Sequence, residues 1–358
     1  MPTLRERYCV RGSFRDRNPP PSAPGPTSED LMPSKHLLFV AAACAFSLSL
    51  AACGGSSGGG DTPPPIPEGA HYGYVVSGVT VPKTDDEKKQ ISLDLGGTNS
   101  SKQDGVIDNK LGNLIELLAG FVDLQTPIDQ AVARGAILLL VDFQTEDLAN
   151  SSAAGFGVKI GATATPLPCT DMTDTTCGHH LDGHGMFTVD DTASTDGVVA
   201  GKIVGGAFSG GPGDVTVQLS LGGATPITLS LQRARVQATI SPTGIMNATI
   251  GGLLTPSEIA SELIPVIQPL ANGLLTSSCT PNPTQGQACI CTGGAAMLLI
   301  SADRDFDCQL TTDEILMYMP VQQALAPDVC TTSSCTTPDG VSIGVQVQAV
   351  KAAFPGVM

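Results

Sequence analysis

The chain has 358 residues and a formal net charge of −16, with 34 Asp and Glu against 18 Lys and Arg. This excess of acids argues against binding to nucleic acid, which depends on cationic contacts to phosphate. Tryptophan is absent and there are four tyrosines. Aromatic side chains for a protein or glycan ligand are therefore scarce, and such a ligand stays unassigned.

Residues 32–52 have the three parts of a secretory leader. Lys35 and His36 supply the positively charged region at the start of the leader, and small residues lie at its cleavage site. The apolar stretch from Leu37 to Leu50 has 14 residues, fewer than the roughly 20 that span a bilayer. The run Leu50-Ala51-Ala52-Cys53 resembles the lipobox of bacterial lipoproteins, in which the leader is cut before a cysteine that carries lipid.

The resemblance to bacterial lipoproteins implies a signal peptide over residues 32–52 and lipidation of Cys53, which would anchor the protein in a membrane of the bacterial cell envelope. The residue after the lipidated cysteine is Gly54 rather than an aspartate, and in this the chain resembles lipoproteins that are delivered to the outer membrane. Residues 53–70 are rich in Gly, Ser and Pro and are predicted to form a flexible tether. Residues 1–31 precede Met32 and are interpreted as an extension from an incorrectly assigned start.

From Cys53 onward the chain has 12 Lys and Arg against 30 Asp and Glu, a formal charge of −18. Anionic lipid would repel this surface, so lipid on Cys53 rather than charge would hold it at the membrane.

The first predicted helix covers residues 109–121, where apolar residues have helical spacing. Thr126-Pro127 is expected to begin a second helix that ends near Gly135. Residues 136–141 are continuously apolar, as in a strand covered on both faces.

Alternating apolar and polar residues predict half-buried strands that begin at Val215, Ile227, Ala234 and Val341. Gly-rich joints, such as residues 210–213, would supply the turns. We therefore predict a mainly β protein with helices (α+β), built on an antiparallel β-sandwich-like core in residues 71–251.

The segment Thr255-Pro256-Ser257-Glu258 is a capping box that opens a helix toward Leu275, with kinks expected at Pro265 and Pro269. Because the last hundred residues hold most of the cysteines, residues 252–358 are predicted to form a helical, disulfide-rich unit. Its strand at Val341 is compatible with pairing to the main sheet.

Eight cysteines follow Cys53, and an even number in an oxidising compartment predicts disulfides. They are Cys169, Cys177, Cys279, Cys289, Cys291, Cys308, Cys330 and Cys335. The natural local pairs are Cys169–Cys177 and Cys330–Cys335, and the other four cysteines leave three connectivities open. A zinc site is a weaker interpretation, because the Cys-x-Cys at 289 and 291 has no matching second pair.

Three of the histidines lie in the run Cys177-Gly178-His179-His180-Leu181-Asp182-Gly183-His184. His179, His180, Asp182 and His184 offer donors for zinc or another transition metal, which would polarise a water for hydrolysis. The spacing matches no HExxH or HxHxDH pattern. A disulfide-pinned surface loop is therefore the favoured interpretation, with a metal-dependent hydrolase as the alternative.

The run Asp303-Arg304-Asp305-Phe306-Asp307-Cys308-Gln309-Leu310-Thr311-Thr312-Asp313-Glu314 resembles an EF-hand calcium loop over all twelve positions. The resemblance implies calcium as a cofactor, bound by the side chains of Asp303, Asp305 and Asp307 and by the backbone carbonyl of Gln309. Thr311 would bind directly or through water, and Glu314 with both oxygens. The alternative is a solvated acidic loop before a helix, where Asp313 and Glu314 favour the helix dipole.

One position departs from the calcium-loop pattern, since Cys308 stands where the family has glycine. A positive φ at a residue other than glycine costs on the order of 1 kcal/mol, and a disulfide through Cys308 would hold the turn. Residues 103–109 resemble the middle of a second calcium loop more weakly, and an Asp-Gly turn before a helix explains this sequence equally well.

No pattern for a catalytic site is found: the chain has no G-x-S-x-G elbow, phosphate loop or dinucleotide fingerprint. The expected protein is therefore a lipid-anchored envelope protein with a structural or binding role, stabilised by calcium and disulfides, with no nucleic-acid partner and no assigned catalytic residue.

Overall fold

The computed structural model describes residues 66–120, 122–169, 177–193, 197–221, 226–284 and 286–357. The described residues form one compact unit. The lipobox, the signal peptide, Cys53 and most of the predicted tether lie outside the described residues. No helix of the described ranges is long and apolar enough to cross a membrane.

The main element of the structure is an antiparallel sheet that includes several long strands. The strands are β1 Ala70–Thr80, β2 Leu139–Thr145, β3 Asn150–Thr165, β4 Met186–Val189, β5 Val198–Val204, β6 Ala207–Leu219, β7 Ile227–Ser241, β8 Gly244–Leu254, β9 Cys279–Thr280, β10 Ile290–Cys291 and β11 Val341–Lys351. Eight of them follow the order β2-β1-β11-β8-β7-β6-β5-β3, and β3 also pairs with β2. The sheet is therefore a closed barrel, to which β4 adds a short strand beside β3.

The predicted β-sandwich-like core is wrong, because the sheet closes on itself. Val141 of β2 pairs with Tyr74 of β1 on one side and with Val158 of β3 on the other. Alternation along a strand shows that one face is buried, which is equally true of a sandwich and of a small barrel. The coarser prediction, mainly β with helices, is confirmed.

Apolar side chains fill the barrel. Phe143, Phe156 and Phe208 are fully buried at its centre, with ring centroids 5.2 Å apart for Phe143 and Phe208 and 6.3 Å apart for Phe143 and Phe156. Nearby, a cavity between Leu139 and Val345 has a volume of about 20 Å³, which is room for about one water molecule. The interior at this level is packed core rather than a binding cavity.

Strand β2 is buried on both faces, as its continuous apolar sequence predicts. Leu139 and Val141 belong to the barrel core, whereas Leu140 packs outside the barrel in a second apolar cluster with Phe187 and Phe354. The second cluster includes residues from the chain end, which therefore covers the outer face of this strand.

In the part of the chain that the structure describes, eight helices accompany the barrel. They are α1 Asp85–Gln90, α2 Leu111–Ala119, α3 Gln125–Ala133, α4 Pro256–Glu258, α5 Ile264–Ser278, α6 Gly294–Leu299, α7 Thr312–Met317 and α8 Met319–Ala324. The capping box of Thr255 and Glu258 is present at α4, and a π turn over Ile259–Leu263 joins α4 to α5. Helix α3 begins one residue before Thr126, because Asp123 Oδ1 accepts hydrogen bonds from the backbone N–H groups of Gln125 and Thr126.

The helices share one apolar core with the barrel. Leu114 of α2, Ile267 of α5 and Ile315 of α7 belong to the same buried cluster as Val141 and the other barrel residues. Strand β11 lies between β1 and β8, so residues 252–358 contribute a barrel strand as well as helices.

Four disulfides connect the eight cysteines that follow Cys53. The two local pairs, Cys169–Cys177 and Cys330–Cys335, are confirmed. The other four cysteines pair as Cys279–Cys291 and Cys289–Cys308, a connectivity that the spacing left open. These cysteines are therefore used in disulfides rather than in a zinc site.

Candidate functional site

Three carboxylates of the 303–314 loop converge. Asp303, Asp305 and Asp307 each offer one oxygen atom, and these oxygens lie within 4.8 Å of one another. Asp303 is buried at 4% exposure, whereas the other two are exposed. Such a group of hard oxygen donors is the kind of set that Ca²⁺ prefers.

Backbone donors within the loop orient the three carboxylates. Asp303 accepts hydrogen bonds from Phe306 N at 2.7 Å and from Cys308 N at 2.9 Å, and Asp307 accepts one from Gln309 N at 2.7 Å. Burial raises the pKa of the Asp303 carboxyl, and the negative charge of Asp307 acts in the same direction, although the two N–H donors oppose them. A bound cation would offset both the burial and the mutual repulsion of these carboxylates.

Glu314 and Thr311, two of the predicted calcium ligands, form hydrogen bonds within the loop instead of joining the three aspartates. Glu314 Oε1 accepts a hydrogen bond from Arg304 N at 2.8 Å, and Oε2 accepts one from Thr311 N at 2.9 Å. The bond from Thr311 N, together with the one that the Thr311 hydroxyl oxygen accepts from Glu314 N, forms a capping box at the start of α7. Burial acts to raise the pKa of Glu314, but the N–H donors of Thr311 and Arg304 outweigh it and the pKa is lowered.

The structure thus brings together three of the six predicted calcium ligands. Gln309 is exposed, and the Glu314 carboxylate joins the two ends of the loop instead of lying within the cluster of three. For Glu314 to bind a cation at the cluster, its carboxylate would exchange at least part of its hydrogen bonding.

Cys308 holds the turn of the loop. Its φ is 68°, in the left-handed region that the glycine position of the family implies, and its sulfur is bonded to Cys289. Because the Cys308 N–H donates to Asp303, the disulfide fixes the backbone that orients the most buried carboxylate.

Two amide side chains of α5 clamp the loop. Asn272 Oδ1 accepts a hydrogen bond from Leu310 N at 2.7 Å, and Asn272 Nδ2 and Gln268 Nε2 donate to Leu310 O at 3.0 and 2.8 Å. The Leu310 side chain is 2% exposed and packs in the main core. Sequence reasoning missed Gln268 and Asn272, although their spacing of four residues on an otherwise apolar helix was visible.

The histidine segment does not assemble as a metal site. His180 is fully buried beside Phe187, with ring centroids 6.3 Å apart, whereas His179, Asp182 and His184 are exposed. Burial lowers the pKa of His180, against an opposing contribution from the Val132 carbonyl. Within the described ranges, the Asp303 cluster is the group of three or more metal-binding side chains whose donor atoms converge.

An open cleft of about 650 Å³ lies against the outer face of β5, β6 and β7, a volume in the usual range of ligand pockets. Its polar lining includes Lys202, Ser209, Arg235 and Gln237, and residues 92–107 form its other wall. The alternation that predicts a half-buried strand from Ala234 places Arg235 and Gln237 opposite its buried face, but nothing in the sequence indicates that other strands and a loop enclose them.

The loop wall of the cleft is ordered by its own acids. Asp94 Oδ2 accepts a hydrogen bond from Gly105 N at 2.7 Å, and Asp104 Oδ1 accepts one from Val106 N at 2.9 Å. Gly105 has a φ of 84°. The geometry at residues 103–109 is therefore that of an Asp-Gly turn, the second of the two interpretations of this segment.

The chain matches no family model, no curated protein and no solved structure.

Proposed function

We propose that the chain is a lipid-anchored protein of the bacterial cell envelope with a structural or binding role, and that calcium bound by the 303–314 loop stabilises its fold together with the disulfides. The observation that supports the calcium site is the convergence of the Asp303, Asp305 and Asp307 carboxylates within 4.8 Å in a loop held by a disulfide and by α5.

Calcium fits the chemistry of this loop better than a soft transition metal, because the converging donors are carboxylate oxygens and the nearby cysteines are in disulfides. Outside the cytoplasm, a dissociation constant on the order of 10⁻⁴ to 10⁻³ M is enough for an extracellular calcium module. At ten times the dissociation constant, calcium would stabilise the folded state by about 1.4 kcal/mol.

The test compares melting temperatures in calcium and in chelator. We expect calcium to raise the melting temperature of the wild type, and we expect Asp305→Asn and Asp307→Asn to abolish or strongly reduce this rise. Asp313→Asn is the matched control, because Asp313 is an exposed acid of the same loop outside the cluster. An equal response in all four proteins, or an equal response to magnesium, would contradict the calcium site.

The lipid anchor is proposed from the lipobox sequence, and it is tested separately. Cells grown with radiolabelled palmitate are expected to label the wild type and the Cys44→Ser variant, which changes a cysteine of the leader, but not the Cys53→Ser variant. Fractionation is expected to place the labelled protein in the outer membrane. Label that survives in Cys53→Ser would refute the anchor.

A further inference from the structure

The outer cleft of β5, β6 and β7 contains an arginine for whose side chain the described residues supply no hydrogen-bond acceptor. Arg235 Nε is buried and makes no hydrogen bond, and among the described residues no carboxylate lies within 4.0 Å of its guanidinium. The neighbouring Arg233, in contrast, donates to Cys330 O at 2.7 Å and to Ser101 O at 2.5 Å.

An unpaired, partly buried guanidinium is unfavourable for the folded protein, since the charge loses hydration without gaining a partner. Burial lowers the pKa of Arg235, and the positive charge of Arg233 acts in the same direction, although the negative charge of Asp94 across the cleft opposes both. In a chain with 34 acidic residues, an acid partner for Arg235 would be easy to supply. An anion from outside the chain would satisfy the same need.

Other polar side chains face the cleft in one row. Lys202 of β5 pairs in register with Ser209 of β6, and Ser209 pairs with Gln237 of β7, so the three side chains point to the same outer face. Arg235 lies two residues before Gln237 and shares this face. Because adjacent strands are about 4.8 Å apart, one small molecule can contact all four residues.

The floor of the cleft has little side-chain bulk. Gly201, Gly210 and Gly211 line it and carry no side chain. A ligand can therefore approach the strands closely while its anionic end meets Arg235.

From this arrangement we propose that the outer cleft binds a small organic carboxylate that also carries hydroxyl groups. The planar guanidinium of Arg235 matches a carboxylate with two parallel hydrogen bonds, and Lys202 adds a second positive charge. Ser209 and Gln237 supply partners for hydroxyl groups. Asp94 in the opposite wall repels any anion, and it repels a doubly charged phosphate about twice as strongly as a singly charged carboxylate. The site depends on neither calcium nor the lipid anchor.

The test follows the Arg235 side chain directly. The full chain has nine arginines, so labelling with ¹⁵N-arginine gives few Nε–H signals in an NMR spectrum, and the signal that disappears in Arg235→Gln identifies Arg235. D-Glucuronate and D-galacturonate serve as probes, D-glucose as the neutral control with the same hydroxyl pattern as glucuronate, and inorganic phosphate as the competing anion. Each is titrated to about 50 mM, which detects dissociation constants in the millimolar range.

We expect at least one uronate to shift the Arg235 signal saturably, with no saturable shift from glucose and weaker binding of phosphate. Lys202→Gln, a change at an exposed residue, is expected to weaken uronate binding at least threefold, while Arg134→Gln, directly after α3 and outside the cleft lining, leaves it unchanged. No saturable shift with either uronate, an equal shift with glucose, or tighter binding of phosphate would overturn the proposal.

Discussion

Removal of the Cys289–Cys308 disulfide tests how the acidic loop is held. The two cysteines are 19 residues apart in the sequence. For a closed loop of this length, the chain-entropy relation gives a loss of about 3 kcal/mol in the free energy of unfolding when the cross-link is removed. We therefore expect the variant with Cys289→Ala and Cys308→Ala to be less stable than the wild type by at least this amount.

The residue chosen at position 308 changes the expected loss, because φ there is 68°. Alanine in the left-handed region costs about 1 kcal/mol more than glycine. Because Cys308 of the wild type already bears this cost, the double alanine variant should lose about 3 kcal/mol and the variant with Cys289→Ala and Cys308→Gly about 2 kcal/mol. The glycine variant also keeps the loop in the conformation that orients Asp303, so its calcium affinity should be about fivefold higher than that of the alanine variant.

Urea unfolding in chelator measures the first difference, and calorimetric titration with calcium measures the second. Equal stabilities of the two double variants would refute the argument from the φ of Cys308. Stabilities equal to that of the wild type would refute the argument from loop closure. Since the stability experiment is done without calcium, it remains decisive if the loop binds no ion.

Three further predictions concern the buried residues. His180 is neutral when buried, so its contribution to the free energy of unfolding is fully present above pH 6.5 and is lost as the pH falls below that value. His180→Gln should therefore reduce the slope of the free energy of unfolding against pH below pH 6.5. Burial, and then the nearby acids, raise the pKa of Asp108 to about 7 against the opposing Leu95 N–H, so stability should fall as the pH rises from about 4 to 7. The full shift corresponds to about 4 kcal/mol, which partial exposure reduces to about 1–2 kcal/mol, and Asp108→Asn should remove this slope in urea unfolding. Phe143→Ala should lower the urea-derived stability by about 3–5 kcal/mol, because the ring is fully buried against Phe156 and Phe208.

Each of these predictions has a contrary result. A slope that persists in His180→Gln below pH 6.5, or in Asp108→Asn between pH 4 and 7, would assign the pH dependence to other groups. A loss below about 1 kcal/mol in Phe143→Ala would mean that the barrel centre is less tightly packed than its ring contacts indicate.

Local patterns in the sequence were reliable where one short segment determines the structure. The alternation from Ala234 to Ile240 identified a strand with one buried face, and the Thr255-Glu258 pair identified the start of a helix. Both depend on neighbours within a few residues. Barrel closure, in contrast, depends on the pairing of β2 with β3 and of β1 with β11, and the second pair joins Val75 to Val350. Nothing in the alternation of either strand specifies that partner.

The candidate sites follow the same division. The acidic loop is contiguous, so its carboxylates could be named from the sequence, and three of them converge. The support from Asn272 and the surroundings of Arg235 come from distant segments and were not foreseen. For the histidines, proximity in the sequence was misleading. His179 and His180 are adjacent and were proposed as ligands of one metal, but the His179 side chain is exposed and the His180 side chain is buried.

Closure of the barrel has a consequence for how the chain completes folding. Strand β11 is the last strand in the sequence, and it separates β1 from β8 in the ring. A chain that ends before Val341 would leave β1 and β8 with a row of unpaired backbone N–H and C=O groups, a template for pairing with another molecule. Truncation by even the final strand should therefore produce self-association rather than a smaller soluble domain. The solubility of the protein would therefore depend on the presence of β11.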